Sequence, residues 1–277
     1  MKIKANAKIN FSLSICGKRE DGYHLIDTVM HSVSLCDNIF IEKAEHIFVG
    51  CGDMPQEENI AYKAAKLFFE TTKMSGGCRI EIEKQIPLSA GLGGGSADAA
   101  AVLLGLNRLY NANLSYQTLC DIAVKLGADV PFFITGGCMR SEGIGEILTP
   151  AIPLKTGCIL LAKADLKPST AEMYRRLDKQ ETVLADTAAV LKAIENNDLA
   201  SLRENSYNAF ETVWPQSNVK AQLLKTDAAL VALTGSGPTW FAVYDNIEKA
   251  EVAKNALKEN EIPCWICHPC ETAIEFE

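Results

Sequence analysis

Basic charge is what this chain is short of. Lysine and arginine number 27 against 35 aspartates and glutamates, a formal net charge of −8, so no global positive field exists to hold a nucleic-acid backbone or an anionic membrane surface. A polyanion has to be held locally. Long apolar runs are also missing. Stretches such as Ala99 to Leu106 fall far short of the ~20 residues needed to cross a bilayer. The N-terminal MKIKANAKINFS has no signal-peptide apolar region, so the chain is expected in the cytoplasm, without nucleic-acid or membrane partners. Its 19 glycines and 10 prolines follow no period, which excludes collagen-like and low-complexity chains. What remains, 277 residues with 48% apolar and 22% charged, is globular and long enough to bury a full core.

Cysteine, by contrast, is plentiful: there are ten. A disulfide framework belongs to short secreted chains, so most of these are expected to be buried small hydrophobes. The cluster Cys264-Trp-Ile-Cys267-His268-Pro-Cys270 contains the Cys-x-x-Cys-His string used in c-type haem attachment. Attachment requires export. A zinc site requires four ligands, and no second Cys-x-x-Cys or His-x₃-His is present. Packing near the C-terminal strand is the expected role.

Ile9, Phe11, Leu13 and Ile15 alternate with Asn10, Ser12 and Ser14, which predicts a half-buried strand with Lys8 and Asn10 on its polar face. The stretch from Gly17 to His24 reads as an exposed turn, followed by short strands near 28–35, 38–42 and 46–49. A helix is predicted over 59–72, a strand over 79–83, a helix from Ala99 to Tyr110, and another over 115–126 stopped by Gly127 as a left-handed cap. Gly136, Gly137, Gly143 and Gly145 with Pro150 and Pro153 suggest a boundary near residue 155. Beyond it come a strand at 158–162, helices after Ser169 and over 186–195, 199–205 and 248–259, and a final strand. An α+β chain in two lobes, 1–155 and 156–277, is expected.

Between the strand at 79–83 and the following helix stand Gly91, Gly93, Gly94 and Gly95. Each raises the backbone entropy lost on folding, so something must need bare backbone here. Successive N–H groups and a helix N-terminus can wrap an anion, and Ser96 fits the N-cap position, with a hydroxyl for a phosphate or Mg²⁺. A Walker A loop would end in Gly-Lys-Ser/Thr, and a Rossmann fingerprint would have a third glycine where Ser96 stands; neither fits.

The string Pro87-Leu-Ser-Ala-Gly-Leu-Gly-Gly-Gly-Ser-Ala97 resembles the phosphate-binding motif of the GHMP kinases. Ala7-Lys8-Ile-Asn10-Phe11 resembles that family's first motif, and Leu233-Thr-Gly-Ser-Gly-Pro-Thr239 its third. Together with Arg19 to His24, Gly127 to Pro131 and Glu142 to Thr149, these strings are ordered as in the members that phosphorylate 4-diphosphocytidyl-2-C-methyl-D-erythritol on the non-mevalonate isoprenoid route. The resemblance spans nearly the whole chain. It implies an N-terminal ribosomal-protein-S5-domain-2-like lobe and a C-terminal ferredoxin-like lobe. It also implies transfer of the γ-phosphoryl group of ATP, accompanied by Mg²⁺, to the 2-hydroxyl of that substrate. Another small-alcohol kinase of the homoserine or mevalonate type, or a non-catalytic nucleotide-binding protein, are the alternatives.

Taken alone, Lys8 and Asp129 read as solvated surface charges; the resemblance puts them on the family's catalytic pair, Asp129 as base and Lys8 as the orienting cation. It assigns the loop residues Pro87, Leu88, Ser89, Ala90, Gly91, Leu92, Gly93, Gly94, Gly95, Ser96 and Ala97 to ATP, with Asn59 and Lys84 towards the adenine or ribose and Ser96 as the protein contact to Mg²⁺. Tyr23 and His24 then hold the cytosine, Tyr174 is a second aromatic against it, and Asn10 bonds the methylerythritol or diphosphate. Where many relatives carry Gly-Ser-Ser-Asn, this chain has Gly95-Ser-Ala-Asp98, which puts a carboxylate near the phosphates unless it turns away.

Overall fold

A computed structural model describes residues 1–165, 168–181, 183–214 and 217–277. In chain order its first part comprises β1 (Lys2–Lys18), β2 (His24–Ala44), β3 (Phe48–Gly50), α1 (Ile60–Thr72), β4 (Gly77–Glu83), α2 (Gly94–Leu109), α3 (Tyr116–Ala123), α4 (Val130–Thr135), β5 (Cys138–Gly143) and β6 (Ile147–Ala151). Then follow β7 (Cys158–Lys163), α5 (Thr170–Leu177), α6 (Thr187–Glu195), α7 (Leu199–Asn205), a 3₁₀ turn (Ala209–Thr212) and α8 (Asn218–Leu223). The chain ends with β8 (Leu230–Leu233), β9 (Thr239–Tyr244), α9 (Ile247–Glu259), β10 (Cys264–Cys267) and β11 (Ile274–Phe276).

Two sheets carry the fold. In the first, the order is β11-β1-β2-β4-β3, and the long β2 pairs with β4 through residues 38–44 and with β5 through residues 26–31. The short strands expected over 28–35 and 38–42 are therefore one continuous ribbon. The second sheet runs β10-β7-β9-β8 with antiparallel neighbours. With α9 crossing from β9 to β10, this is the ferredoxin-like order the resemblance implied.

The first strand is buried on both faces, not one. Its partnership with β2 shifts register between Asn6 and Ala7 and again between Asn10 and Ser12, which re-aims successive side chains. Ile3 and Ala5 join the core under α1 and α2. Ala7, Ile9 and Phe11 instead meet Ile159, Leu161 and Phe241 of the second sheet, with Phe11 edge-on to Phe241 at 5.7 Å. Lys8 and Asn10, expected on a solvated face, are 4% and 3% exposed. The second sheet covers one face of the strand, and the loops at Gly93 and Gly235 close over Lys8 and Asn10 on the other.

Helix α2 lies flush on β1. A Cβ at Gly105 would stand 2.7 Å from Ile3 Cδ1, so any larger residue there would have to push the end of that side chain aside. The helix also begins earlier than its composition suggests: Gly93 is the N-cap, Gly94 the first helical residue, and Ser96 lies inside the first turn. Gly127 likewise does not cap α3, which ends at Val124 in a right-handed conformation. Half of the cysteines are buried, Cys16 is exposed and the others are intermediate. Cys267 donates to the carbonyl of Ile159. Among the described residues no group of His, Cys, Asp and Glu is arranged to hold a metal ion, and no helix is long and apolar enough to cross a membrane.

Candidate active site

Four segments converge where β1 passes under the start of α2: the middle of β1, the loop preceding α2, the residues ahead of α4, and the turn between β8 and β9. Lys8 stands at their centre. Its backbone N–H donates to Leu92 O at 3.0 Å, which pins the glycine loop to the strand. Its Nζ donates to Asn10 Oδ1 at 2.8 Å and lies 3.8 Å from Asp129 Oδ2. A buried ammonium is tolerated only with such partners.

Asn10 is a hub. Its Oδ1 also accepts from the N–H of Gly235 at 2.9 Å and from the Thr234 hydroxyl at 3.2 Å, and its Nδ2 donates to Thr28 Oγ1 at 2.8 Å. The turn 234–237 is itself closed by the Gly237 N–H on Thr234 O at 3.0 Å. Asn208, which nothing in the sequence singled out, donates from Nδ2 to the carbonyls of Leu233 and Gly235 at 2.8 and 2.9 Å. The bonds of Asn10 hold the third motif against the first, and those of Asn208 brace its backbone.

Asp129 occupies the N-cap position of α4, but its side chain makes no capping bond and is 39% exposed. The six-residue helix was not anticipated, because Pro131 in its first turn and the preceding Gly-Ala-Asp read as a simple stop. Val130, Phe132 and Phe133 are wholly buried, so the carboxylate is presented from a fixed base.

Gly93, at φ +74°, joins these parts: a Cβ there would lie 2.5 Å from the Phe133 ring and 3.1 Å from Lys8 Cγ. The first turn of α2 is thereby seated directly over Lys8 and α4. The N–H groups of that turn have no intrahelical acceptors and carry the positive end of a sixteen-residue helix dipole. They open onto a cleft of about 270 Å³ lined by Ile60, Lys84 and the loop from Pro87 to Ser96. A larger cavity of about 590 Å³ lies behind the 234–237 turn, between Arg203, Glu211, Lys220 and β8; the glycine loop takes no part in it.

Lys84 and Asp98 proved to be partners. Lys84 Nζ donates to Asp98 Oδ2 at 2.7 Å and to Asp37 Oδ2 at 2.5 Å, while Asp37 Oδ1 accepts the N–H groups of Gln85 and Ile86. The helix phase turns Asp98 away from the loop's open face and into the core, 3% exposed, where burial and the nearby Asp37 raise its carboxyl pKa against the pull of Lys84. Asn59 caps α1, its Oδ1 accepting from the Ala61 N–H at 2.9 Å, beside the cleft residue Ile60.

A second corner lies at the β1–β2 turn. Tyr23 is 60% exposed. His24 stacks on Tyr174 with ring centroids 4.3 Å apart and an interplanar angle of 17°, so that one face of Tyr174 is covered by imidazole. Tyr174 leans edge-on against Phe210 at 5.0 Å. Burial, and next the charge of Asp129, push its hydroxyl up to about 12.

The chain matches two models of known families: the GHMP kinases N terminal domain over residues 59–137 and the GHMP kinases C terminal domain over residues 190–262. A 4-diphosphocytidyl-2-C-methyl-D-erythritol kinase of Acetivibrio thermocellus is 42% identical over 276 residues, covering 96% of this chain and 98% of the relative. A solved 4-(cytidine 5'-diphospho)-2C-methyl-D-erythritol kinase superposes with a TM-score of 0.84 at 33% identity, covering 96% of this chain and 98% of the other. A homoserine kinase from Cytophaga hutchinsonii shares the fold, with a TM-score of 0.76 at 18% identity over 99% of this chain and 96% of its own.

Proposed function

The chain belongs to the GHMP kinase family, and we propose that it transfers the γ-phosphoryl group of ATP to the 2-hydroxyl of 4-diphosphocytidyl-2-C-methyl-D-erythritol, in the cytoplasm. The single observation that carries this reading is the Lys8–Asp129 pair, 3.8 Å apart, under the open N-terminus of α2. A tertiary alcohol is a hindered nucleophile, so most of the rate must come from in-line positioning and charge neutralisation.

Asp129 takes the hydroxyl proton as the new oxygen–phosphorus bond forms and the bond to the β-phosphate oxygen breaks, releasing ADP. Lys8, held by Asn10, orients that carboxylate and the reacting oxygen and offsets developing negative charge. The N–H groups of residues 91–96 cradle the phosphates, with Lys84 in the same cleft and Asn59 beside it at the start of α1. Mg²⁺ on the nucleotide would add charge neutralisation there. The Ser96 hydroxyl in the first turn of α2 fits a single contact to an ion held mainly by phosphate and water, since the described residues supply no cage of their own. Tyr23 stacks on the cytosine, His24 bonds its edge and Tyr174 backs them. The site draws on β1, the glycine loop and Asp129 from the first part of the chain and on the turn between β8 and β9 from the second, so both contribute to one reaction.

Release of ADP by purified protein with cytidine-diphosphate-linked methylerythritol, mevalonate and homoserine tests this reading. Turnover of the first alone is expected; turnover of an unlinked alcohol instead, or nucleotide binding without turnover, overturns it.

A further inference from the structure

The His24 ring is fixed by two different neighbours. Stacking on Tyr174 at 4.3 Å and 17° sets the plane of the imidazole but not its orientation within that plane. A half-turn about the Cβ–Cγ bond exchanges the two nitrogens for carbons and leaves the stack intact. The choice between the two orientations falls to a hydrogen bond: Nε2 lies 2.6 Å from Asp178 Oδ1. Asp178 reaches His24 from the end of α5, 154 residues away, and its other oxygen accepts from Lys18 Nζ at 2.7 Å. The bonds from His24 and Lys18 hold the Asp178 carboxyl below the usual carboxylate range, so it is an ionised, acceptor-only group at neutral pH.

We propose that Asp178 is a positioning residue that sets nucleobase selectivity: by accepting the Nε2–H of His24 it leaves Nδ1 as an acceptor for the exocyclic amine of cytosine. This rests on the functional reading above, in which His24 meets the base edge. Among the described residues Nδ1 has no protein partner, so its lone pair is available to a ligand. Cytosine offers an amine donor where uracil offers a carbonyl acceptor, and two facing acceptors repel. A site built to hydrogen-bond one group rejects the analogue that lacks it far more strongly than an apolar pocket can. A cavity of about 210 Å³ adjoins His24, Lys18 and Asp178. Once the carboxylate is removed the ring has room to turn, and packing does not preserve its orientation.

The test is the ratio of kcat/KM for the cytidine- and uridine-diphosphate-linked methylerythritols, measured for the native protein, Asp178→Ala, Asp178→Glu and Lys18→Ala, with the His24 tautomer read by ¹⁵N NMR. The native protein is expected to favour the cytidylyl compound by about 10²-fold or more and to carry its proton on Nε2. Asp178→Ala should lose at least about tenfold of that ratio and show a mixed tautomer, while Asp178→Glu restores much of it. Lys18→Ala, which breaks the ion pair but keeps the acceptor, should leave the ratio and the tautomer unchanged. An unchanged ratio in Asp178→Ala overturns the proposal, as does an equal loss in Lys18→Ala, which would make the contact a simple clasp. If the native protein turns over neither compound, the functional reading fails and the proposal fails with it; a native preference that survives Asp178→Ala refutes the proposal alone.

Discussion

Lys8 and Asp129 face each other across 3.8 Å with unequal access to solvent: the lysine side chain is 5% exposed and the aspartate 39%. The cation is therefore fixed in the protein, bonded to Asn10, while the carboxylate is open to an incoming hydroxyl. That asymmetry suits a base that must meet substrate and an orienting charge that must not move.

Replacing Asp129 with Asn removes the proton acceptor and keeps the shape. The variant should bind ATP as before, with kcat lowered by about 10²-fold or more. Steady-state kinetics with a separate nucleotide titration checks this, and near-normal turnover would remove Asp129 from the chemistry.

Gly93→Ala brings a methyl group against the Phe133 ring and the Lys8 stem, at a backbone conformation, φ +74°, that L side chains rarely adopt. A loss of about 1–3 kcal/mol in urea unfolding is expected, together with a raised KM for ATP because the first turn of α2 must shift. If both stability and KM are unchanged, the seating of that turn over Lys8 has no functional weight.

Stability should fall on acidification through His31. Its Nδ1 donates to Ser32 O at 2.8 Å and its Nε2 accepts the N–H of Leu154, on the connection between β6 and β7, at 3.0 Å. Burial drives the imidazole down from 6.5 to about 4. The unfolded chain thus takes up a proton that the folded chain refuses, and stability present above pH 6.5 is lost as pH falls towards 4. The linkage amounts to about 3 kcal/mol. Chemical denaturation between pH 7 and 4 should show that loss in the native protein and a flatter profile in His31→Gln; equal slopes would contradict it.

Much of this arrangement is legible in the sequence, and the exceptions share a cause. The alternation in β1, the helical spacing of Ile60, Ala64, Leu67 and Phe68 in α1 and the two glycine loops at 91–95 and 235–237 are local signals, and they mark the right segments. Burial of Lys8 is not legible, because it depends on the first turn of α2 at Gly93, on Asp129 and on the turn at Gly235, all far along the chain. The start of α2 is misjudged because glycine is a poor helix former; here contacts with Phe133 and Ile86 seat the turn and tertiary packing overrides propensity. Counting along the loop places Asp98 near the phosphates, but helical phase carries it inward to Lys84. Contacts such as Asn208 with Gly235 or Asp178 with His24 join residues far apart in the chain and leave no local trace.

Tyr23→Ala should raise KM for the cytidylyl substrate about tenfold or more, in keeping with base–aromatic stacking of about 1–3 kcal/mol, and leave KM for ATP unchanged. Tyr23 is exposed and packs little, so stability should hold. An unchanged KM for the cytidylyl substrate refutes the stacking role.

The central claim is most directly tested by ³¹P NMR of the products formed when purified protein is incubated with ATP, Mg²⁺ and 4-diphosphocytidyl-2-C-methyl-D-erythritol. The account predicts ADP and one new phosphomonoester on the tertiary 2-hydroxyl, in equal amounts. ADP with no new monoester, or a phosphate on a different hydroxyl, would contradict it.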